Sequence, residues 1–247
     1  MILNLRDELV GLSARRLFVR SHQELLNKQK IRKLVYRYYH FHISATRLLW
    51  GEERCCFDEL REYGIFQIWT KEFIDAFVLY LKKTLSCPNA LILDCGAGNG
   101  LLTFWLKKYG FNIVAVDSKS DEWEFTQNGK IPDWVLQMEV SEALEKFQPE
   151  LVIASWMPPS WGYSLFDNYE WTDNFHSCPS VKEYILIGEE SDEGNIPQCG
   201  SFYSWEGSPN WPRKDLPQLN ALSLSYLDFL QKIERDRKSI ICSFKKV

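Results

Sequence analysis

The amino-acid sequence predicts an α/β domain whose parallel sheet is covered by helices on both faces. Three observations carry this. From about residue 88 onward, short continuously apolar runs alternate with helical patterns, and such runs belong to strands buried on both sides. The first run closes in a glycine-rich turn, Asp94-Cys95-Gly96-Ala97-Gly98-Asn99-Gly100, and a helical pattern opens at once behind it. The second run ends in an acid, Asp117, about 20 residues beyond the first glycine, where an α/β nucleotide site places its ribose-binding carboxylate.

Residues 1 to about 88 read as helical. Leu9, Leu12, Arg16 and Val19 recur at helical spacing, as do Leu25, Ile31, Leu34 and Tyr38. The clearest helix spans Thr70 to Leu85: Thr70 is placed to cap it, and Phe73, Ala76, Phe77, Tyr80 and Leu81 share one face. Pro88 stops it. Strands follow at Ala90–Asp94, Asn112–Asp117, more weakly at Asp133–Met138, then at Glu150–Ser155, Lys182–Gly188 and Ser239–Phe244. Helices are expected at Leu101–Tyr109, ended by Gly110, and at Ser141–Phe147. Leu222–Ile233 fits a strand or a helix equally. The segments 156–180 and 189–218 carry few regular signals and read as long functional loops. The organisation expected is a helical N-terminal extension over 1–68 and one α/β domain over 69–247.

The chain has 247 residues, 45% of them hydrophobic and 25% charged, which is the balance of a water-facing globular protein. No apolar run reaches the roughly 18 residues that span a bilayer, and the N-terminus lacks the basic-then-apolar pattern of a signal peptide. An intracellular protein, cytoplasmic or nuclear, is expected, with no membrane partner. The seven cysteines and four histidines form no Cys-x-x-Cys or other metal-ligand array. Free thiols in a reducing compartment and no metal site are therefore expected. The net charge of −4 argues against the whole chain binding a polyanion.

The glycine loop has the strand-to-helix context that makes such a loop informative. A dinucleotide site spaces its glycines as Gly-x-Gly-x-x-Gly, with pyrophosphate on the helix end. Here Gly96, Gly98 and Gly100 are spaced by two, and Asp94 precedes them. A carboxylate there suits a cationic ligand better than a pyrophosphate, and that charge separates the two readings. Asp117 is placed to accept two ribose hydroxyls. Glu139 and Val140, at the start of a helix, could meet an adenine edge; a plain helix-start glutamate is the equal alternative.

The stretch Leu91-Ile92-Leu93-Asp94-Cys95-Gly96-Ala97-Gly98-Asn99-Gly100, together with Val114-Ala115-Val116-Asp117 at the right distance, resembles the first two motifs of class I S-adenosylmethionine-dependent methyltransferases. The resemblance runs from about Trp69 and fades after Gly188. It implies a Rossmann-like, seven-stranded, mostly parallel sheet with its last strand antiparallel. It implies S-adenosylmethionine as cofactor, with Asp94, Cys95, Gly96, Ala97, Gly98 and Gly100 around the methionine end. It places Asp117 and Ser118 at the ribose, Glu139 and Val140 at the adenine, and Ser155 beside the methyl.

In that family the loop after the fourth strand faces the transferred methyl. Here it reads Ala154-Ser155-Trp156-Met157-Pro158-Pro159-Ser160-Trp161, similar to the Asp/Asn/Ser-Pro-Pro-aromatic motif of amine methylation. Met157 stands where a polar residue is wanted. Ser155, Pro158, Pro159 and Trp161 are the catalytic candidates, Ser155 holding an amine and Trp161 stacking on it; a stiff lid is the competing reading. General-base candidates are Asp167, Asp173, His176, Glu189 and Glu190. The basic-aromatic run from Lys28 to His42 could contact a nucleic-acid backbone or form the solvated face of an amphipathic helix. The N-terminal extension is expected to cover the methionine end through Trp69, Thr70 and Phe73.

The leading expectation is a methyltransferase acting on an amine of a nucleic acid or protein. Its rivals are a small-molecule methyltransferase, a non-catalytic partner subunit on the same fold, and a nicotinamide-dependent oxidoreductase, which Asp94 and the glycine spacing disfavour.

Overall fold

The structure is a computed structural model, and it describes residues 23–32, 64–118, 131–157, 171–189, 199–200, 203–225 and 239–247. A seven-stranded sheet runs through it. The elements follow in the order α1 (Lys71–Thr84), β1 (Ile92–Cys95), α2 (Leu101–Lys108), β2 (Ile113–Asp117), β3 (Leu136–Gln137), α3 (Val140–Phe147), β4 (Leu151–Ser155), α4 (Trp171–Ser177), β5 (Glu183–Glu189), β6 (Arg213–Asp215), α5 (Pro217–Leu222) and β7 (Ser239–Lys245). The strand order is β3-β2-β1-β4-β5-β7-β6. Every pairing from β3 to β5 is parallel, and β7 runs antiparallel to both β5 and β6. This is the sheet the resemblance implies.

The central strands are largely apolar because both their faces are covered. Ile92, Ile113, Leu151, Ile153, Ile185, Ile187 and Ile241 point to one side, where they meet Phe73, Phe77 and Leu81 of α1, Leu102 and Leu106 of α2, and Leu219 of α5. The alternate residues Leu93, Val116, Val152, Ala154, Leu186 and Phe244 meet Ala143 and Leu144 of α3 and Trp171 and Phe175 of α4. A period of two with both phases apolar is what a doubly covered sheet requires.

Local chemistry sets the helix ends. Thr70 caps α1 by accepting the Phe73 N–H at 3.1 Å. α2 ends before Gly110, whose φ of +87° takes the left-handed turn expected of a glycine there.

Other expectations change. The stretch before α1 is not continuously helical: 64–70 is extended, and Gln67 bridges Ser225 in antiparallel fashion. Residues 23–32 are partly helical and lie on the domain. Leu26 and Ile31 are buried, the Leu26 carbonyl accepts the Lys71 N–H at 2.9 Å, and Lys28 Nζ donates to the carbonyls of Ala221 and Ser223. The segment 156–180 contains α4, and 189–218 contains a 3-10 turn at Tyr203–Trp205 and the edge strand β6. The ambiguous stretch near 222 begins as the end of α5; residues 226–238 lie outside those described.

Chain order reverses between β1 and β4. The chain steps outward through β2 and β3, then returns to β4 on the other side of β1. Crevices at such switch points, outside the carboxyl ends of the strands, are where open α/β sheets bind ligands.

Candidate functional site

Two loops flank that switch point: the glycine loop after β1 and the Ser155–Met157 turn after β4. The glycine loop takes three left-handed residues, Gly96, Gly98 and Gly100, with φ of +61°, +51° and +68°. Space is also tight at two of these glycines. A Cβ on Gly100 would sit 2.4 Å from the Trp134 ring and 2.8 Å from Val135 Cγ2, and one on Gly96 would sit 3.1 Å from Met157 Cγ.

Four N–H donors of the loop bond within the protein. Ala97 N–H donates to the Val116 carbonyl at 3.0 Å, and Gly100 N–H to the Ala97 carbonyl at 2.8 Å. Gly98 N–H donates to Asp117 Oδ2 at 2.8 Å. Leu101 N–H, the first of α2, donates to Asn99 Oδ1 at 3.1 Å. Four of the N–H groups at the strand-to-helix turn, where a pyrophosphate would be cradled, are thus engaged, one of them by a carboxylate.

Asp94 is 2% exposed, paired in register between Ala115 of β2 and Ile153 of β4. Its Oδ2 accepts the Thr103 hydroxyl at 2.6 Å, from the first turn of α2. Burial pushes its pKa up to about 7, with the Thr103 hydroxyl holding it lower than burial alone would. Asp94 therefore braces the glycine loop by joining β1 to α2. Cys95 beside it is fully buried, and burial raises its thiol well above the usual range.

Asp117 is half-buried at the end of β2, and its carbonyl accepts the Met138 N–H at 3.0 Å. That bond ties the β3–α3 turn to the glycine loop. Glu139 is the exposed residue before α3, with no side-chain capping bond, and Val140 is the helix's first residue. Ser118 is exposed, and its carbonyl accepts from Gln137 Nε2 at 3.3 Å. Asp117 and Ser118 follow the carboxyl end of β2, and Glu139 and Val140 follow that of β3, the strand paired with it.

On the other side, Ser155 is half-buried at the end of β4. Pro158, Pro159 and Trp161 lie outside the described residues. Of the general-base candidates, Glu189 is buried at the carboxyl end of β5, the correct edge of the sheet. His176 is not: it stacks on Trp211 and lies 3.0 Å from the Tyr184 hydroxyl, near the start of β5 at the opposite edge, with its pKa lowered by burial. Asp173 sits exposed on the first turn of α4. Asp167 and Glu190 lie outside the described residues.

Trp69 and Phe73 belong to the hydrophobic core and Thr70 is spent on its cap. The contact between the pre-helix segment and the glycine loop comes instead from Gly64, whose carbonyl accepts Asn99 Nδ2 at 3.2 Å. Nothing in the sequence marks Gly64 or Gln67 for this role, since their partners lie far along the chain. Lys28, first of the basic-aromatic run, is engaged with α5 carbonyls; positions 33–42 lie outside the described residues. Among the described residues no group of His, Cys, Asp and Glu could hold a metal ion, and no helix is long and apolar enough to cross a membrane.

No family model matches the chain, and no curated protein does. Solved structures that superpose on it include magnesium protoporphyrin IX methyltransferase from Synechocystis with bound S-adenosylmethionine, at 14% identity over 91% of this chain and 99% of that one, with a TM-score of 0.41. Geranyl diphosphate C-methyltransferase from Streptomyces coelicolor aligns at 14% identity over 70% of this chain and 79% of that one, with a TM-score of 0.39. A SAM-dependent methyltransferase from Agrobacterium tumefaciens aligns at 14% identity over 70% of this chain, with a TM-score of 0.37; the aligned part spans 62% of that protein's length. At such identities and scores, function has to be argued from the side chains of the site.

Proposed function

We propose that this chain is an S-adenosylmethionine-dependent methyltransferase. The observation that carries the reading is the donor count of the glycine loop. The N–H groups of Ala97, Gly98, Gly100 and Leu101 all bond within the protein, and Asp117 puts a carboxylate against Gly98. A dinucleotide would bring its pyrophosphate onto spent donors beside a negative charge. A sulfonium cofactor brings no pyrophosphate; its one anionic group is the methionine carboxylate, which asks for fewer donors, and its ammonium and sulfonium suit a negative surrounding.

The residues fit that cofactor. Gly98 presents no side chain to its methionine end, while the space beside Gly96 is taken by Met157. The Asp117 carboxylate has four lone-pair sites, so it can accept ribose hydroxyls alongside the Gly98 N–H. Glu139 and the Val140 N–H are the groups for the adenine edge. Asp94 supports the loop through Thr103. When bound, S-adenosylmethionine supplies a methyl group on sulfur already activated for displacement. The protein's task is then to align donor and acceptor and exclude water, which can account for much of the rate. Ser155 ends β4 beside the crevice, and Glu189 ends β5 next to it. Ser155, Pro158, Pro159 and Trp161 are the acceptor-side residues, and the acceptor class we favour is an amine on a nucleic acid or a protein.

Calorimetric titration with S-adenosylhomocysteine tests the reading, alongside a nicotinamide dinucleotide. Micromolar-range binding of the first and none of the second is expected. The reverse pattern would overturn the proposal. Methyl-labelled cofactor incubated with separated RNA, DNA, protein and metabolite fractions then locates the acceptor; label confined to metabolites would refute the amine-polymer assignment.

A further inference from the structure

The extended segment 64–68 runs along the carboxyl edge of the sheet and touches both loops of the candidate site. Gly64 accepts from Asn99 in the glycine loop at 3.2 Å. Phe66 stacks on Trp156 with centroids 6.0 Å apart and 22° between planes. Ile68 N–H donates to the Leu224 carbonyl at 2.8 Å, which fixes the segment against the turn after α5.

Gln67 is the hub. It is 6% exposed. Its Oε1 accepts from Trp156 Nε1 at 3.0 Å and from Ser239 Oγ at 3.0 Å, and its Nε2 donates to Ser223 Oγ at 2.9 Å. An indole N–H is only a donor, so Trp156 dictates which end of the amide faces it. One side chain thereby joins the end of β4, the start of β7 and the residue after α5.

Trp156 needs such an anchor. Its φ of +55° is left-handed, a conformation that a bulky residue adopts only when its surroundings hold it there. The indole bond to Gln67 and the backbone bond from Trp156 N–H to the Ile187 carbonyl, at 2.7 Å, provide that hold. The turn sends Met157 back over the glycine loop, close enough that a Cβ on Gly96 would meet Met157 Cγ at 3.1 Å. Gly200 N–H clamps the Met157 carbonyl at 2.9 Å.

We infer that Gln67 is a positioning residue of the site: by holding the Trp156 indole it fixes the left-handed turn and seats Met157 against Gly96, where the cofactor loop meets the acceptor loop. The functional sense of this inference rests on the methyltransferase reading, but its mechanical content does not. The segment before α1 then forms part of the site's wall, and Met157 supplies an apolar surface where an amine-directed motif would put a polar group.

The test uses the full chain and three variants. Gln67→Leu removes the acceptor. Trp156→Phe removes the indole N–H and some ring volume but keeps an aromatic ring for Phe66. Gln67→Glu keeps the acceptor for Trp156, and a buried carboxyl, favoured as the neutral acid, can donate to the Ser223 hydroxyl as the amide does. Hydrogen–deuterium exchange on the ligand-free protein is expected to quicken at 96–98 and 154–157 in the first two variants, by roughly two- to tenfold for one hydrogen bond lost. The Gln67→Glu pattern should stay near wild type, and α1 and β2 should not change in any variant. Affinity for S-adenosylhomocysteine should fall by a similar factor in Gln67→Leu and Trp156→Phe, with the double variant no worse than either single one. Should Gln67→Leu fail to fold, Trp156→Phe against wild type decides. Unchanged exchange at 96–98 and 154–157 overturns the inference, even when S-adenosylhomocysteine binds normally. Quickened exchange there, in a protein that never binds S-adenosylhomocysteine, keeps the Gln67 relay and removes the cofactor assignment instead.

Discussion

The Asp117 carboxylate accepts the Gly98 N–H at 2.8 Å, so the end of β2 is tied directly to the middle of the glycine loop. That bond gives Asp117 two jobs, one in holding the loop's shape and one in meeting a ribose. Removing the carboxylate should be felt in both. Asp117→Ala is expected to weaken S-adenosylhomocysteine binding by about 1.5–3 kcal/mol, the usual worth of hydrogen bonds to a charged group. Asp117→Asn keeps an acceptor for Gly98 and should fall between the two. Calorimetry on the three proteins checks the order, and equal affinities would remove Asp117 from the ribose.

Asp94 makes stability depend on pH in an unusual direction. Burial raises its pKa to about 7 in the folded protein, whereas the unfolded chain titrates near 3.9. Between those values the folded state holds a proton that the unfolded state has lost, so stability falls as pH rises through the window. The contribution is complete below the unfolded value and gone above about 7. Asp94→Asn keeps an acceptor for the Thr103 hydroxyl and cannot ionise. Urea denaturation at pH 5 and pH 8 should therefore show a larger loss on raising pH for wild type than for the variant. Parallel losses would mean that Asp94 does not titrate in this range.

Gly100 shows how much of the loop a reader of the sequence could have anticipated. The run of three glycines, its place behind an apolar strand and the acid at Asp117 are all local patterns, and the fold places them as their spacing suggests. The clash partner of Gly100 is not local: Trp134 stands 34 positions away and approaches only because β3 lies beside β2. The same limit hid other features. β6 is Arg213-Lys214-Asp215, a charged edge strand with no apolar alternation to betray it. α4 has seven residues, too few for helical periodicity to emerge from an aromatic-rich stretch. The partners of Gln67 lie 89, 156 and 172 residues away. The Thr103 partner of Asp94 is likewise invisible in the sequence, because it depends on how α2 packs on β1.

Gly100→Ala should be among the more damaging single changes in the loop. It combines left-handed backbone, at φ of +68°, with a Cβ 2.4 Å from the Trp134 ring. A left-handed non-glycine residue costs about 1–2 kcal/mol, and overpacking adds about 1–3 kcal/mol. Trp134 is 39% exposed and can be trimmed cheaply, so Gly100→Ala with Trp134→Ala should recover the clash with the indole but neither the 2.8 Å contact with buried Val135 nor the backbone part. Chemical denaturation of the single and double variants measures this. A double variant as stable as Trp134→Ala alone would show that backbone strain is absent.

Glu183 anchors the opposite end of β5, away from the site. It is buried and accepts the Tyr80 hydroxyl at 2.5 Å and the Ser243 hydroxyl at 2.7 Å, so α1, β5 and β7 converge on one carboxylate. Burial and this partner together push the Tyr80 phenol far up from its ordinary value. Glu183→Ala removes the acceptor the two hydroxyls share, at about 1–3 kcal/mol, while Tyr80 keeps Ser243 and Thr84 as hydrogen-bond neighbours. Glu183→Gln retains a carbonyl oxygen and should lose less. Because the carboxylate lies at the amino end of the strand, neither change should alter S-adenosylhomocysteine affinity once the protein is folded. A loss of stability with affinity intact would separate the scaffold from the crevice; a matching loss of affinity would mean that the sheet transmits the disturbance along β5 to Glu189.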